Sequence, residues 1–258
     1  MDPMDFAVAF HRDAYRQGPG SDESTLQALK AVPDWTGVKS ILDLGCGTGA
    51  QTMVLAMHTN AQITAVDVLP EFLEELEERA RRMQVGGRVT PLLESFDELT
   101  VEPGSFELVW SEGSIYHLGF TRGLEYWKQF IAPGGHLVVS DLCWTTDERP
   151  AEIVEFWTEA YPEIATVEQK LAVIEASGYE VVDWFELPQS AWTDNYYEPI
   201  RARSPKFIED YGKDPAAVEF VQMGLEEANL FDRFGEFYGY VFFVVKPVST
   251  VSLTTDSL

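Results

Sequence analysis

The sequence has few cysteines and few histidines, and neither set forms a recognisable site. Its two cysteines, Cys46 and Cys143, make up neither a disulfide framework nor a metal-type pair. The four dispersed histidines also lack the spacing of metal ligands. We therefore predict no metal site and expect both thiols to be reduced.

Long apolar runs are missing as well. No stretch approaches the roughly 18 uninterrupted apolar residues of a membrane span. The acidic N-terminus lacks the basic and apolar regions of a signal peptide. These absences predict a cytoplasmic protein without a membrane partner.

Basic residues are scarce, with 18 lysines and arginines against 43 acidic residues, which gives a formal charge of -25. Long-range repulsion would oppose the approach of DNA, RNA or an anionic membrane surface. A small-molecule partner is therefore favoured over a nucleic acid, and a homodimer is left open.

The chain has 258 residues, of which 45% are hydrophobic, so it can bury one substantial core. We predict a single domain over 1–248 with an N-terminal helical cap at 1–35. A helical insertion is expected at 188–235, where the aromatic residues fit either a packed core or a cover over an apolar substrate. The tail at 249–258, rich in serine and threonine, is predicted to be disordered.

The most informative stretch runs from Ser40 to Thr52. A short apolar run around Leu42 predicts a strand buried on both faces, and three alternate glycines, Gly45, Gly47 and Gly49, follow it. The next residues suit a helix, whose free N–H groups would favour an anionic group of a ligand. Taken alone, this turn also satisfies the dinucleotide fingerprint of dehydrogenases.

Two carboxylates bear on that ambiguity. Asp43, just ahead of the first glycine, would oppose a pyrophosphate but would suit a ligand with an ammonium or sulfonium cation. Asp67 ends the next apolar run, where a carboxylate can accept hydrogen bonds from ribose hydroxyls. The first favours an amino-acid-like ligand, and the second fits either cofactor.

Two segments resemble the first cofactor motifs of class I S-adenosylmethionine-dependent methyltransferases: Asp43-Leu44-Gly45-Cys46-Gly47-Thr48-Gly49 and Val66-Asp67. Three further segments, at 16–21, 110–116 and 147–152, resemble a bacterial and archaeal subgroup near the ubiquinone/menaquinone-biosynthesis-type methyltransferases. The likeness covers most of the chain. It implies S-adenosyl-L-methionine as the cofactor.

The resemblance also implies cofactor contacts outside the glycine turn. Residues 15–21 would form a lid, although the helix before them also fits simple packing on the domain edge. Ser95 and Phe96 would lie beside the adenine, although an ordinary polar turn is the alternative. The expected cofactor-binding residues are Tyr15, Gln17, Asp43, Gly45, Gly47, Gly49, Gln51, Asp67, Val68, Ser95, Phe96 and Glu112.

Alternating strand and helix patterns predict an α/β fold with a parallel sheet. Strands are expected at 41–44, 61–66, 88–93, 106–110, 136–140, 179–187 and 240–245, and helices at 4–16, 24–31, 51–58, 70–83, 121–130, 153–161 and 167–176. In the resembled family the last strand is antiparallel. The expected fold is a Rossmann-like, seven-stranded, mostly parallel sheet with helices on both faces, an N-terminal helical lid and a helical insertion before the last strand.

The loop at 111–118 is the best candidate for substrate-side chemistry, because ligands of open α/β sheets bind outside the carboxyl ends of the strands. Glu112 should lie near the amino-acid end of the cofactor. Tyr116 and His117 are the candidate catalytic residues on the acceptor side, with His117 as a base because its unperturbed pKa lies near neutrality. A structural histidine is the alternative.

These observations favour a methyltransferase that passes an activated methyl group in line to a small-molecule acceptor and mainly positions that acceptor. Two alternatives stay open. One is a regulatory or scaffold protein that binds S-adenosylmethionine without transfer. The other is an NAD-dependent dehydrogenase, against which Asp43 and the terminal aromatic strand count.

Overall fold

A mixed β-sheet forms the centre of the computed structural model, which describes residues 3–248. The described residues contain eight strands: β1 (Ser40–Leu44), β2 (Gln62–Asp67), β3 (Val89–Leu93), β4 (Phe106–Ser111), β5 (Ile131–Trp144), β6 (Ala165–Thr166), β7 (Tyr179–Glu186) and β8 (Tyr238–Pro247). The tail predicted to be disordered, 249–258, lies outside this range.

The strand order is β3-β2-β1-β4-β5-β8-β7. The first five strands in this order are parallel, and β8 pairs antiparallel with both β5 and β7. The predicted sheet is thus confirmed, and the two-residue β6, which pairs with β5, is an addition to it. Because β1 lies between β2 and β4, the loops that follow these three strands emerge side by side at their carboxyl ends.

Helices cover the sheet on both faces. Those among the described residues are α1 (Pro3–His11), α2 (Asp22–Ala31), α3 (Ala50–His58), α4 (Pro70–Arg82), α5 (Phe120–Trp127), α6 (Ala151–Ala160), α7 (Val167–Ala176), α8 (Ser190–Trp192), α9 (Glu198–Asp210) and α10 (Pro215–Phe234). Within residues 3–248, no helix is both long enough and apolar enough to cross a membrane.

Each face of the sheet carries its own hydrophobic core, because successive side chains of a strand point to opposite faces. In β1, Ile41 packs in a cluster with residues of α2, α3 and α4. Leu42 and Leu44 belong to the opposite cluster, which includes Trp127 of α5 and Ile174 of α7. This double burial explains the continuous apolar run that the sequence shows in β1.

The first helix is shorter than the predicted 4–16, because α1 ends at His11. The side-chain amide of Gln17 donates to the carbonyl oxygens of His11 (3.1 Å) and Ala14 (3.2 Å). An extended helix would use such carbonyls for its own i+4 N–H groups. Residues 12–16 therefore turn instead of continuing the helix.

The fifth strand starts earlier than the predicted His136. A single 3-10 turn, Lys128–Phe130, follows α5, and β5 begins at Ile131. Phe106 pairs with Ile131 and Leu108 with His136, so the segment 132–135 lies opposite the single residue Glu107. The Pro-Gly-Gly sequence in this segment marks an irregularity inside the strand and not the end of the preceding helix.

Residues 188–235 form the predicted helical insertion, in which a π-helical segment, Thr193–Tyr197, joins α8 to α9. Its aromatic residues build a third hydrophobic cluster with Leu142 and Trp144 of β5. Helix α1 packs on the insertion, with the ring of Phe10 5.0 Å from that of Phe207. The N-terminal helix and the insertion therefore form one layer over the carboxyl end of the sheet.

A buried ion pair joins β5 to α7. Lys170 Nζ lies 2.5 Å from Asp141 Oδ2, which also accepts a hydrogen bond from Tyr161 Oη at 2.8 Å. Both charged side chains are buried, at 2% and 0% exposure for Lys170 and Asp141. Burial raises the pKa of Asp141, and the Lys170 charge opposes that rise.

We predict that Lys170→Met destabilises the protein by about 3–5 kcal/mol, because it leaves a buried carboxylate without its cation. Urea denaturation of the purified protein measures the change. Lys206→Met is the matched control, since Lys206 forms an exposed pair with Asp210, and its unfolding curve should stay that of the parent. Adding Asp141→Asn to Lys170→Met should recover stability, and a double variant as unstable as the single one would contradict this account.

Candidate active site

The glycine turn after β1 adopts a conformation that suits glycine alone. Gly45, Gly47 and Gly49 have φ values of +69°, +54° and +89°. A Cβ on Gly45 would lie 2.4 Å from Ser114 Oγ, and one on Gly47 would lie 2.4 Å from Gln17 Oε1. The turn therefore combines left-handed backbone with close approach of its neighbours.

Gln17 connects the N-terminal segment to this turn. The backbone N–H of Thr48 donates to Gln17 Oε1 at 2.9 Å, and Gln17 Nε2 donates to Thr48 Oγ1 at 2.9 Å. Arg79 of α4 holds the same segment by donating to the carbonyl oxygens of Ala14 (2.7 Å) and Tyr15 (2.8 Å). The N-terminal segment thus lies directly against the glycine turn.

Asp67 closes the turn from the end of β2. Its Oδ2 accepts from the N–H of Gly47 at 2.9 Å, and its Oδ1 accepts from the N–H of Leu69 at 3.0 Å. Burial raises the pKa of Asp67, whereas these N–H donors act to lower it. Each carboxylate oxygen has a further lone pair, so the group can accept additional hydrogen bonds.

Asp43 lies below the turn and is fully buried. Its Oδ2 accepts from Thr52 Oγ1 at 2.5 Å and its Oδ1 from Gln51 Nε2 at 3.3 Å, both from α3. Burial raises the pKa of Asp43 to about 7, although the Thr52 hydrogen bond opposes the rise. Asp43 therefore anchors the start of α3 and reaches the site through Gln51.

Glu112 and Arg16 form a second buried charged pair beside the turn. Glu112 Oε2 accepts from Arg16 Nη1 at 3.1 Å, and its Oε1 accepts from Trp110 Nε1 at 2.9 Å. Arg16 Nη2 also donates to Asp22 and Thr25, but its buried Nε has no partner among the described residues. Both terminal nitrogens of Arg16 thus hold protein acceptors.

One cavity of about 580 Å³ extends from the glycine turn to the helical insertion. We call its first part the glycine-turn half, lined by Arg16, Gln17, Gly45, Gly47, Gln51, Asp67, Phe96 and Glu112. We call the rest the aromatic half, lined by Tyr116, Trp157, Tyr161, Trp192, Tyr196, Glu227 and Tyr240, with Val8 and His11 of α1.

Most of the residues expected from the sequence line this cavity: Gln17, Gly45, Gly47, Gln51, Asp67, Val68, Phe96, Glu112, Tyr116 and His117. Four do not. Tyr15 is 54% exposed and donates to Asp22 at 2.8 Å, while the hydroxyl of Ser95 donates to Asp97. Gly49 faces Leu76 of α4, and Asp43 is buried behind Gln51.

Tyr116 and His117 lie side by side at the junction of the two halves, with ring centroids 4.0 Å apart. Burial lowers the pKa of His117, and the charge of Asp67 acts to raise it. His117 and Asp67 both line the cavity. Burial and the Glu227 charge raise the pKa of Tyr116 to about 12.

Arg16 and most residues of the aromatic half were not predicted from the sequence. Arg16 lies in segment 16–21, which resembles the methyltransferase subgroup. Its position was therefore indicated, but its charge was not interpreted as part of the site. Glu227 carried no signal, because a lone acidic residue on α10 resembles the many solvated ones in this chain. Trp192 and Tyr196 are both core residues and cavity residues, so the two alternatives for the insertion are not exclusive.

Residues 41–135 match a family model described as a methyltransferase domain. This range begins with β1, contains the whole glycine turn and Asp67, and ends in β5. The chain thus contains a methyltransferase domain, and the matches below support a class I S-adenosylmethionine-dependent enzyme. The two segments that resemble methyltransferase motifs both lie within the matched range.

Known methyltransferases match the chain over longer ranges. It is 23% identical over 193 residues to O-methyltransferase resE of Aspergillus sclerotiorum, covering 71% of this chain and 73% of the relative. It is 23% identical over 210 residues to the 2-methyl-6-phytyl-1,4-hydroquinone methyltransferase of Synechocystis sp., covering 69% of this chain and 61% of the relative, so the chain spans less than two thirds of that relative.

Solved structures share the fold. A methyltransferase from Thiobacillus denitrificans, in complex with S-adenosyl-L-homocysteine, superposes with a TM-score of 0.79 at 19% identity, covering 95% of this chain and 97% of that one. YjhP from E. coli superposes with a TM-score of 0.83 at 20% identity, covering 94% and 99%. Both likenesses extend over nearly the whole chain.

We predict that Gly47→Val abolishes measurable binding of S-adenosylhomocysteine while the protein stays folded. A branched side chain is strained at this positive φ and meets Gln17, at a cost of about 1–3 kcal/mol of stability. Isothermal titration calorimetry and thermal unfolding measure the two effects. Gly37→Val is the control, since no atom lies within 4 Å of a Cβ there. Parental affinity in Gly47→Val would exclude the turn from the cofactor site.

We predict that Asp67→Ala weakens S-adenosylhomocysteine binding by about 1.5–3 kcal/mol, the range for hydrogen bonds to a charged group. The variant also loses the acceptor of the Gly47 N–H, so the turn is less well held. Calorimetry measures the affinity, and Asp183→Ala on the exposed part of β7 serves as the charge-matched control. Equal affinities in the two variants would remove Asp67 from the site.

Proposed function

We propose that this methyltransferase binds S-adenosylmethionine in the glycine-turn half and transfers its methyl group in line to a small molecule in the aromatic half. One observation carries the proposal: a single cavity joins the methyltransferase motifs to a wall of aromatic side chains. Its volume of about 580 Å³ falls within the roughly 300–1,000 Å³ that small-molecule sites occupy.

The glycine-turn half fits the cofactor. Gly45 and Gly47 line this half of the cavity, and Asp67 keeps lone pairs for ribose hydroxyls. Phe96 offers an apolar surface for the adenine. At the amino-acid end, Arg16 lines the cavity and its positive charge suits a carboxylate, while Glu112 suits an ammonium group.

When bound, S-adenosylmethionine supplies an activated methyl group on a sulfonium, so the protein needs to add little covalent chemistry. The residues at the junction of the two halves orient the acceptor and exclude water. Tyr116, with its raised pKa of about 12, stays protonated at neutral pH and can donate a hydrogen bond. His117, with its lowered pKa, stays neutral and can accept a proton from an acceptor that carries one.

The two alternatives differ from this proposal in what they bind and transfer. An NAD-dependent dehydrogenase is disfavoured by the methyltransferase match and by the buried carboxylate of Asp43 behind the turn. A protein that binds S-adenosylmethionine for regulation would need no second ligand space beside the cofactor. The continuous aromatic half favours transfer.

We predict that the protein binds S-adenosylhomocysteine but not NAD, and that methyl-labelled S-adenosylmethionine labels at least one small molecule in a pool of acceptors. Tyr116→Phe should lower that turnover at least tenfold and leave S-adenosylhomocysteine affinity within about 1 kcal/mol of the parent, since its ring still packs on His117. Scintillation counting and calorimetry on the same preparations measure both quantities.

Tyr126→Phe is the matched control, because the hydroxyl of Tyr126 accepts a hydrogen bond from the Leu99 N–H outside the cavity. Full turnover in Tyr116→Phe would remove this hydroxyl from the transfer site. Cofactor binding without transfer to any acceptor would favour the regulatory alternative.

A further inference from the structure

A carboxylate without a protein cation faces the aromatic half of the cavity. Glu227, on α10, is one of the lining residues, and its Oε1 accepts a hydrogen bond from Tyr197 Oη at 2.8 Å. No donor among residues 3–248 reaches Oε2, yet this atom is not sealed in the interior like the unpartnered Oδ1 of Asp141. Glu227 therefore offers one free oxygen to the cavity.

The charged side chains around this half do not neutralise Glu227. Lys170 is paired with Asp141, and the guanidinium of Arg203 lies 4.5 Å from the ring centre of Phe10 and donates to that residue's carbonyl oxygen. His11 is uncharged at neutral pH because burial, aided by Arg203, lowers its pKa to about 4. Among the described residues that line the aromatic half, Glu227 is the one carboxylate.

Aromatic side chains surround this carboxylate. Burial first, and then the Glu227 charge, raise the pKa values of Tyr116 and Tyr196, and burial above all raises that of Tyr240, so all three hydroxyls stay protonated. Trp157 and Trp192 line the same space. A carboxylate within a wall of tyrosine and tryptophan rings is the arrangement that recognises a positively charged nitrogen.

Building on the proposed function, we propose that the methyl acceptor is an amine, whose ammonium group is bound by Glu227 Oε2 within the aromatic half. A carboxylate or phosphate acceptor would meet the Glu227 charge without a cation to offset it. A neutral alcohol would leave Glu227 without a counter-charge. The net charge of -25 also attracts cations to the protein.

The transfer step balances with the groups present. The ammonium proton passes to Glu227 Oε2, which frees the lone pair of the amine nitrogen. That lone pair forms the new nitrogen–carbon bond as the carbon–sulfur bond of the sulfonium breaks, and the sulfur electron pair remains on neutral S-adenosylhomocysteine. The methylated nitrogen now carries the positive charge, and Glu227 returns its proton to solvent and pairs with the product.

The test compares two ligands of the same shape, choline and its uncharged carbon analogue 3,3-dimethylbutan-1-ol. Each is titrated calorimetrically into protein saturated with S-adenosylhomocysteine. We expect choline to bind at least tenfold more tightly than the neutral analogue. Glu227→Gln should lower choline affinity at least tenfold, since the amide keeps the Tyr197 hydrogen bond but has no charge. Glu226→Gln, at the neighbouring exposed position, should leave it within twofold.

Unchanged S-adenosylhomocysteine affinity in Glu227→Gln is the control for folding and for the cofactor half. In the parent protein alone, equal binding of choline and the neutral analogue, or no choline binding at all, would overturn the proposal. A choline affinity of Glu227→Gln equal to that of the parent would also overturn it. If the parent protein does not bind S-adenosylhomocysteine, the proposed function itself is contradicted.

Discussion

The site depends on how closely the glycine turn after β1 is held by its neighbours. Asp67 accepts the N–H of Gly47 from one side, and Gln17 pairs with Thr48 from the other. These contacts need backbone that approaches without side chains, which left-handed glycines allow. The turn therefore sets where β2 ends, where α3 starts and where the N-terminal segment lies.

The order of the sheet carries this local arrangement to the rest of the molecule. With β1 between β2 and β4, Asp67 and Glu112 reach the turn from opposite sides. The antiparallel β8 and the long β5 then bring the insertion over the carboxyl end of the sheet. The cavity forms where these two layers meet, so neither layer defines it alone.

The parallel strands and the glycine turn could be predicted from the sequence because their signals are local: buried strands read as apolar runs and the turn requires glycine. The Pro-Gly-Gly segment was misleading because it also signals a helix end. Only the pairing of Ile131 and His136 with β4, on either side of it, reveals an irregular strand. Asp43 was expected at the ligand because sequence position does not reveal that α3 covers it. The aromatic half is assembled from α1, α6, α8 and α10, whose spatial proximity no local pattern encodes.

Helix α1 and the segment after it contribute to both halves of the cavity, with Val8 and His11 on the aromatic side and Gln17 on the glycine turn. A displacement of this continuous stretch would loosen the contacts of both halves at once. Exchange of spent cofactor and departure of product would then share one opening event. For such an arrangement we expect the release of the two products to be kinetically coupled, with the slower one governing the lifetime of the closed state.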